Sequence, residues 1–163
     1  MNTRDVAGSL DALFSELVNG APGPDGFSYI LNGGDRGLLR SLDDLSSRAA
    51  SACSNGGATI AAHVDHLRYG LSLMNRWAGG EDPFKDANWG TSWRIGAVND
   101  DEWSTLRRQL RDECVRWQAV LRAPREVSTR ELNGMISAVA HLAYHLGAIR
   151  QIDKEARGPK DNS

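Results

Sequence analysis

The stretch TIAAHVDHLRYGLSLMNRW, residues 59–77, decides the fold class because its apolar side chains recur every three or four residues. This period matches the turn of an α-helix and leaves one apolar face for packing against other helices. The apolar face consists of Ile60, Val64, Leu67, Leu71 and Met74. His63 lies on this face and His66 lies beside it, so the pattern predicts a long amphipathic helix that presents two imidazoles towards the interior.

The chain before this stretch predicts one long helix and a long crossover. The first helix is expected to begin at Thr3, which serves as its N-cap, and to stop at Asn19. Residues 21–37 are rich in Gly and Pro, which is typical of an irregular connection. Residues 38–53 predict one shorter helix. Its inward-facing side chains are Leu38, Leu42 and Leu45.

Two capping boxes mark the remaining long helices. Asn99 with Glu102 opens a helix that ends near residue 121. Ser128 with Glu131 opens the last helix, which is expected to end near residue 157. Four long amphipathic helices with a long crossover between the first two predict an all-α, four-helix bundle. We expect a single domain over residues 1–157 and a frayed tail over residues 158–163.

Composition and charge narrow the classes of partner. The net charge of −2 gives no electrostatic case for nucleic acid or for an anionic membrane. No segment approaches the roughly 20 apolar residues that span a bilayer, and the N-terminus lacks the apolar run of a signal peptide. Cys53 and Cys114 form no CxxC pair, which argues against a disulfide framework or a thiolate zinc cluster. We therefore expect a cytoplasmic protein with neither nucleic-acid nor membrane partners.

The histidines carry the strongest chemical signal, because all four fall into two helix-spaced pairs. His63 and His66 are three residues apart, and His141 and His145 are four residues apart. Each pair therefore lies on one side of its helix. Imidazole is the commonest neutral metal ligand near physiological pH, so two such helices facing each other predict a site for a divalent ion. Core histidines that are satisfied by ordinary hydrogen bonds are the alternative interpretation.

A site with three imidazoles would use His141, His145 and either His66 or His63. Such a set leaves coordination positions open for water or substrate, which favours a catalytic over a structural site. The segment HLAYH is not a zincin motif, because Leu142 stands where that motif has its glutamate. Three neutral ligands leave the full charge on the ion, which strongly acidifies a bound water or thiol.

The order of these histidines resembles the DinB-like superfamily of metal-binding four-helix-bundle proteins. Its members carry one histidine, followed by Leu or Ile, in the second helix and an H-x-x-x-H pair in the last. His66 matches the first element, and His141 with His145 matches the second. The resemblance spans about residues 3–156. It implies that His66, His141 and His145 are the metal ligands.

The resemblance also implies a metalloenzyme without selecting its reaction. Characterised members include S-transferases that use bacillithiol or mycothiol, a maleylpyruvate isomerase and metal-dependent hydrolases. Zinc or nickel would suit the imidazoles, while iron and manganese remain open. The expected partner is a small-molecule substrate, with a low-molecular-weight thiol as one candidate, and a homodimer is one expectation for the oligomeric state. A non-catalytic stress-response module that binds a metal or a small ligand is the alternative.

Three other features bear on the site. His63 has three open roles: support of a ligand imidazole through its second nitrogen, service as an alternative ligand, or simple packing. Asp65 lies about 160° around the helix from His63 and about 100° from His66, and it is predicted to face solvent. Residues 79–98 contain Trp89 and Trp93 in an irregular connection, and a connection of this length usually covers something or forms a pocket wall.

Overall fold

The all-α class predicted from the sequence is confirmed. The computed structural model describes residues 4–23, 26–54 and 56–160, and in these ranges it contains six α-helices, two short 3₁₀ helices and no β-strand. The α-helices are α1 (Arg4–Asn19), α2 (Gly37–Asp43), α3 (Ser47–Ala50), α4 (Ile60–Ala78), α5 (Asp100–Arg122) and α6 (Thr129–Ile152). The 3₁₀ helices are Pro83–Lys85 and Trp89–Trp93, both in the connection between α4 and α5.

The four long helices pack around one hydrophobic core. Both α1 and α4 contact α5 and α6, while the short helices α2 and α3 pack against the ends of the long ones. Each long helix has an apolar face, and burial of this face stabilises the fold. Large aromatic and branched side chains from these faces therefore fill the centre. The largest fully buried side chains include Phe14, Leu17, Ile60, Leu110, Trp117, Leu121, Met135 and Leu142. None of the helices in the described chain combines the length and apolar character needed to cross a membrane.

Side-chain caps mark the starts of α4, α5 and α6. Thr59 Oγ1 accepts a hydrogen bond from the backbone of Ala62, at 3.1 Å, and begins α4. Both predicted capping boxes are formed, by Asn99 with Glu102 and by Ser128 with Glu131. Each satisfies backbone N–H groups that have no partner in the first helical turn. The predicted N-cap of the first helix, Thr3, lies outside the described residues.

Two helix boundaries differ from the prediction. Residues 38–53 form two short helices, because α2 ends at Asp43 and Ser46 then caps α3 by accepting from the Ala49 backbone at 3.2 Å. The helix α6 ends at Ile152, about one turn before the predicted end near residue 157. After this end, the Asn32 side chain donates to the carbonyl of Pro159 at 2.9 Å, so the chain stays in contact with the crossover.

Two sets of contacts hold the first connection, residues 20–36, against the helices that it joins. The buried carboxylate of Glu16 accepts backbone hydrogen bonds from Tyr29, Ile30 and Leu31, at 3.0, 2.8 and 2.6 Å. At its ends, Gly20 and Gly37 lie against each other, and both have positive φ, +106° and +73°. A Cβ on either glycine would overlap backbone atoms at this crossing, so the position requires glycine.

Candidate metal centre

The two histidine pairs face each other where α4 contacts α6. His63 and His66 come from α4, and His141 and His145 come from α6. His66 and His145 are buried, whereas His63 and His141 are half-buried. The helical spacing that suggested two facing pairs therefore brings all four imidazoles into one cluster.

Three of these imidazoles direct nitrogens to one point. His66, His141 and His145 each offer a ligand nitrogen within 4.8 Å of the others. The Nε2 atom of His141 lies 3.1 Å from Nε2 of His66 and 2.9 Å from Nε2 of His145. Two metal–nitrogen bonds of about 2.1 Å that meet at a right angle place their nitrogens about 3.0 Å apart, and a tetrahedral angle places them about 3.4 Å apart. Both distances to His141 therefore match those of nitrogens that share one divalent ion, and the three residues form a candidate metal site.

Ser92 orients the imidazole of His66. Its hydroxyl donates to the carbonyl of Trp89 at 2.8 Å, so the same oxygen accepts from Nδ1–H of His66 at 2.9 Å. A neutral imidazole with its proton on Nδ1 has its lone pair on Nε2, the atom that faces the other two histidines. Such a hydrogen bond is the usual support of a metal-ligating histidine. Sequence reasoning missed Ser92 because no local pattern connects it to a residue 26 positions away.

His63 supports His145 in the same way. The Nδ1 atoms of the two rings lie 2.8 Å apart, so one of them carries the proton and the other accepts it. When His145 donates, its Nε2 lone pair is free to face His141. Of the three roles that the sequence left open for His63, this geometry corresponds to the first, a hydrogen bond to the second nitrogen of another imidazole.

Burial keeps the imidazoles uncharged. Desolvation, together with the like charges of the neighbouring His141, His63 and His66, lowers the pKa of His145 to about 3. Desolvation, with contributions from His141 and His63, lowers the pKa of His66 to about 4. The pKa values of His63 and His141 are also lowered by burial. Neutral imidazole is the form that binds a metal ion, so near pH 7 an ion does not compete with imidazolium formation.

The connection between α4 and α5 covers this cluster. The ring of Trp93 stacks on His66 with centroids 4.2 Å apart, and it meets His63 edge-on at 5.3 Å. Trp89 lies 5.6 Å from His66, and Tyr69 fixes this part of the connection by accepting from the Asn88 backbone at 2.9 Å. The prediction that this segment covers something is therefore confirmed by the contacts of its 3₁₀ helix.

Asp65 and Cys114 have structural roles. Asp65 is buried, contrary to the prediction that it faces solvent, because Arg68 forms an ion pair with it at 2.7 Å and covers it. Burial raises the pKa of Cys114 to about 12, which makes its thiol unreactive. Neither residue reaches the histidine cluster as a general base or a nucleophile.

Comparison with protein-family models, with curated proteins and with solved structures found no match to this chain. The resemblance to the DinB-like superfamily therefore stays a prediction. It depends on the order of the histidines and on the helices that carry them.

Proposed function

We propose that the protein binds one divalent metal ion through His66, His141 and His145, and that it is a metalloenzyme of the DinB-like type. The observation that carries this proposal is the convergence of three Nε2 atoms, with Ser92 and His63 bound to the opposite nitrogens of two of the rings. Zinc or nickel suits three imidazoles best, with iron and manganese as alternatives.

The arrangement of the helices supports the family assignment. The single ligand histidine, His66, stands on α4, and the H-x-x-x-H pair stands on α6. Four long helices, with α2 and α3 in the crossover between α1 and α4, are what a DinB-like four-helix bundle requires. His63 supports His145 in this arrangement and is not needed as a ligand.

The chemistry follows from the ligand set. A divalent ion there would supply Lewis acidity, which turns a thiol or a water molecule into a nucleophile near neutral pH. The imidazoles would hold the ion in place, and Trp93, stacked on His66, covers that ring on one side. A cavity borders His66 and His141, and its remaining polar side chain is the hydroxyl of Ser137. This set suits thiol transfer better than hydrolysis, because thiol transfer needs no separate general base.

Metal content is the direct test. We expect about one divalent ion per chain in tag-free protein, measured by plasma mass spectrometry, and a loss of stoichiometric metal in His141→Ala. Gln151→Ala, an exposed change on the same helix, is the matched control and should keep the wild-type metal content. Circular dichroism establishes that both variants stay helical.

A protein that binds no metal would contradict the proposal. Without an ion, a single proton on His141 Nε2 can be shared with Nε2 of His66 and of His145, and the four histidines are then ordinary core residues. No binding after reconstitution with zinc and nickel would establish that interpretation. Stoichiometric metal without turnover of thiol or hydrolysable substrates would favour the non-catalytic binding module instead.

A further inference from the structure

A cavity of about 500 Å³ opens between α4 and α6, next to the histidine cluster. This volume lies within the range of about 300–1,000 Å³ that is typical of small-molecule sites. His66 and His141 form one end of the cavity. The side walls are Leu67, Leu71 and Met74 from α4, Ala138 and Leu142 from α6, and Phe84 and Trp89 from the connection.

The lining of the cavity is uncharged. Among the described residues that form its walls there is no Asp, Glu, Lys or Arg, and its polar side-chain groups are the two imidazoles, the Ser137 hydroxyl and the indole N–H of Trp89. A charged ligand that enters such a site loses its hydration without gaining an ionic partner from the walls. A neutral, apolar ligand gains free energy from the surface that it buries.

Two aromatic rings and one glycine give the cavity its shape. Phe84 and Trp89 reach it from the two 3₁₀ helices, and Trp89 also packs edge-on against Tyr69 at 5.6 Å. A Cβ on Gly70 would lie 3.5 Å from the Trp89 ring and 3.6 Å from the His141 ring. Gly70 therefore keeps open the passage between the aromatic wall and the histidine end. A methyl group just fits there, whereas a branched side chain would fill it.

We propose that this cavity binds a neutral small molecule with an aromatic body and one uncharged polar group. The aromatic body lies between the Trp89 wall and the aliphatic faces of α4 and α6, and the polar group lies at His66 and His141. Identification of this molecule as the substrate rests on the function proposed above. Binding of the molecule by the cavity does not, because the walls are formed without an ion.

The test compares ligands that differ only in charge. Naphthol, naphthoate and naphthylmethylammonium, substituted at the same ring position, are titrated by calorimetry into the metal-free full-length protein near neutral pH. We expect naphthol to bind at least about tenfold more tightly than either ion, because only the ions pay the uncompensated cost of dehydration. Equal affinities, or preference for an ion, would overturn the proposal.

Substitution of Gly70 locates the binding. Gly70→Val should abolish naphthol binding by filling the passage, and Gly70→Ala should retain it because its Cβ makes only ordinary contacts. Retained binding in a folded Gly70→Val protein would place naphthol elsewhere and overturn the proposal. If Gly70→Val fails to fold, the shift of the Trp89 indole N–H resonance on naphthol addition decides: a shift supports this cavity, and no shift overturns it.

The same titrations separate this inference from the proposed function. Naphthol binding in a protein that takes up neither zinc nor nickel would support the cavity assignment while the metal assignment fails. Stoichiometric metal in a protein that binds naphthol and the two ions equally well would support the metal assignment while the cavity assignment fails.

Discussion

The two long connections of the molecule are held in opposite ways. In the first, residues 20–36, a side chain of the helix reaches out, because Glu16 of α1 binds the backbone of the connection. In the second, residues 79–99, side chains of the connection reach in, because Ser92 and Trp93 contact His66 on α4. The first arrangement binds backbone N–H groups, so it does not depend on which side chains the connection carries. In the second arrangement, the side chains of the connection themselves contact a histidine of the candidate metal centre.

The largest effect should come from removing the fastening of the first connection. Glu16→Ala leaves three backbone N–H groups without their acceptor, and we expect a loss of about 2–4 kcal/mol in the free energy of unfolding. Urea denaturation measures this loss. The folded variant should keep the wild-type metal content. If the variant keeps its full helicity but loses metal, the first connection would also support the candidate metal centre, contrary to this comparison.

Ser92→Ala should instead lower the metal affinity while changing the stability little. Without the hydroxyl, the Nδ1 atom of His66 loses its acceptor, and we expect metal affinity to fall about 10–100-fold, with a smaller change in stability than Glu16→Ala causes. Competition with a metal-binding indicator measures the affinity. Thr91→Ala is the control, because this neighbouring hydroxyl donates to Asn88 and touches no histidine. Equal affinities of the two variants would show that Ser92 does not orient His66.

His63→Ala tests whether the contact of His63 with His145 matters as much for metal affinity as the contact of Ser92 with His66. We expect metal affinity to fall about tenfold with the stoichiometry unchanged, because water can reach the half-buried position and replace the imidazole. Metal analysis and the same competition titration measure the two quantities. Loss of stoichiometric metal would instead make His63 a ligand.

The last prediction concerns the stability of the protein in acid, and its effect at neutral pH is the smallest of the four. Burial lowers the pKa of His145 from its ordinary 6.5 to about 3, so the unfolded chain takes up this proton first. The contribution of His145 to the stability of the metal-free protein should therefore fall as the pH drops from 6.5 towards 3. The difference in unfolding free energy between wild type and His145→Gln, followed over this range, measures it. A difference that does not change with pH would mean that His145 titrates alike in both states.

Local patterns were sufficient to predict the long helices and the histidine pairs. The boxes Asn99–Glu102 and Ser128–Glu131 act within one helical turn, so their sequence pattern carries the whole interaction. The break between α2 and α3 was missed because the apolar spacing of residues 38–53 is continuous across it. Only the cap at Ser46 marks the new start.

The supporting contacts could not be predicted, because each depends on residues that are distant in sequence. Ser92 meets His66 only after the second connection folds back over α4, and the burial of Asp65 depends on Arg68 and on this same packing. Helical spacing placed the four histidines on two helix faces. It could not decide between His63 and His66 as the third imidazole. In the structure, Nε2 of His66 faces Nε2 of His141, whereas Nδ1 of His63 faces Nδ1 of His145.

The contact between Gly20 and Gly37 has a consequence for how this chain can change over evolution. Because the ends of the first connection touch, its length is independent of the distance between the helices that it joins. Doubling the length of a flexible loop costs only about 0.6 kcal/mol, so extra residues here would extend outward without displacing α1 or α2. The glycine crossing thus allows this connection to change in length while the histidine-bearing helices keep their positions.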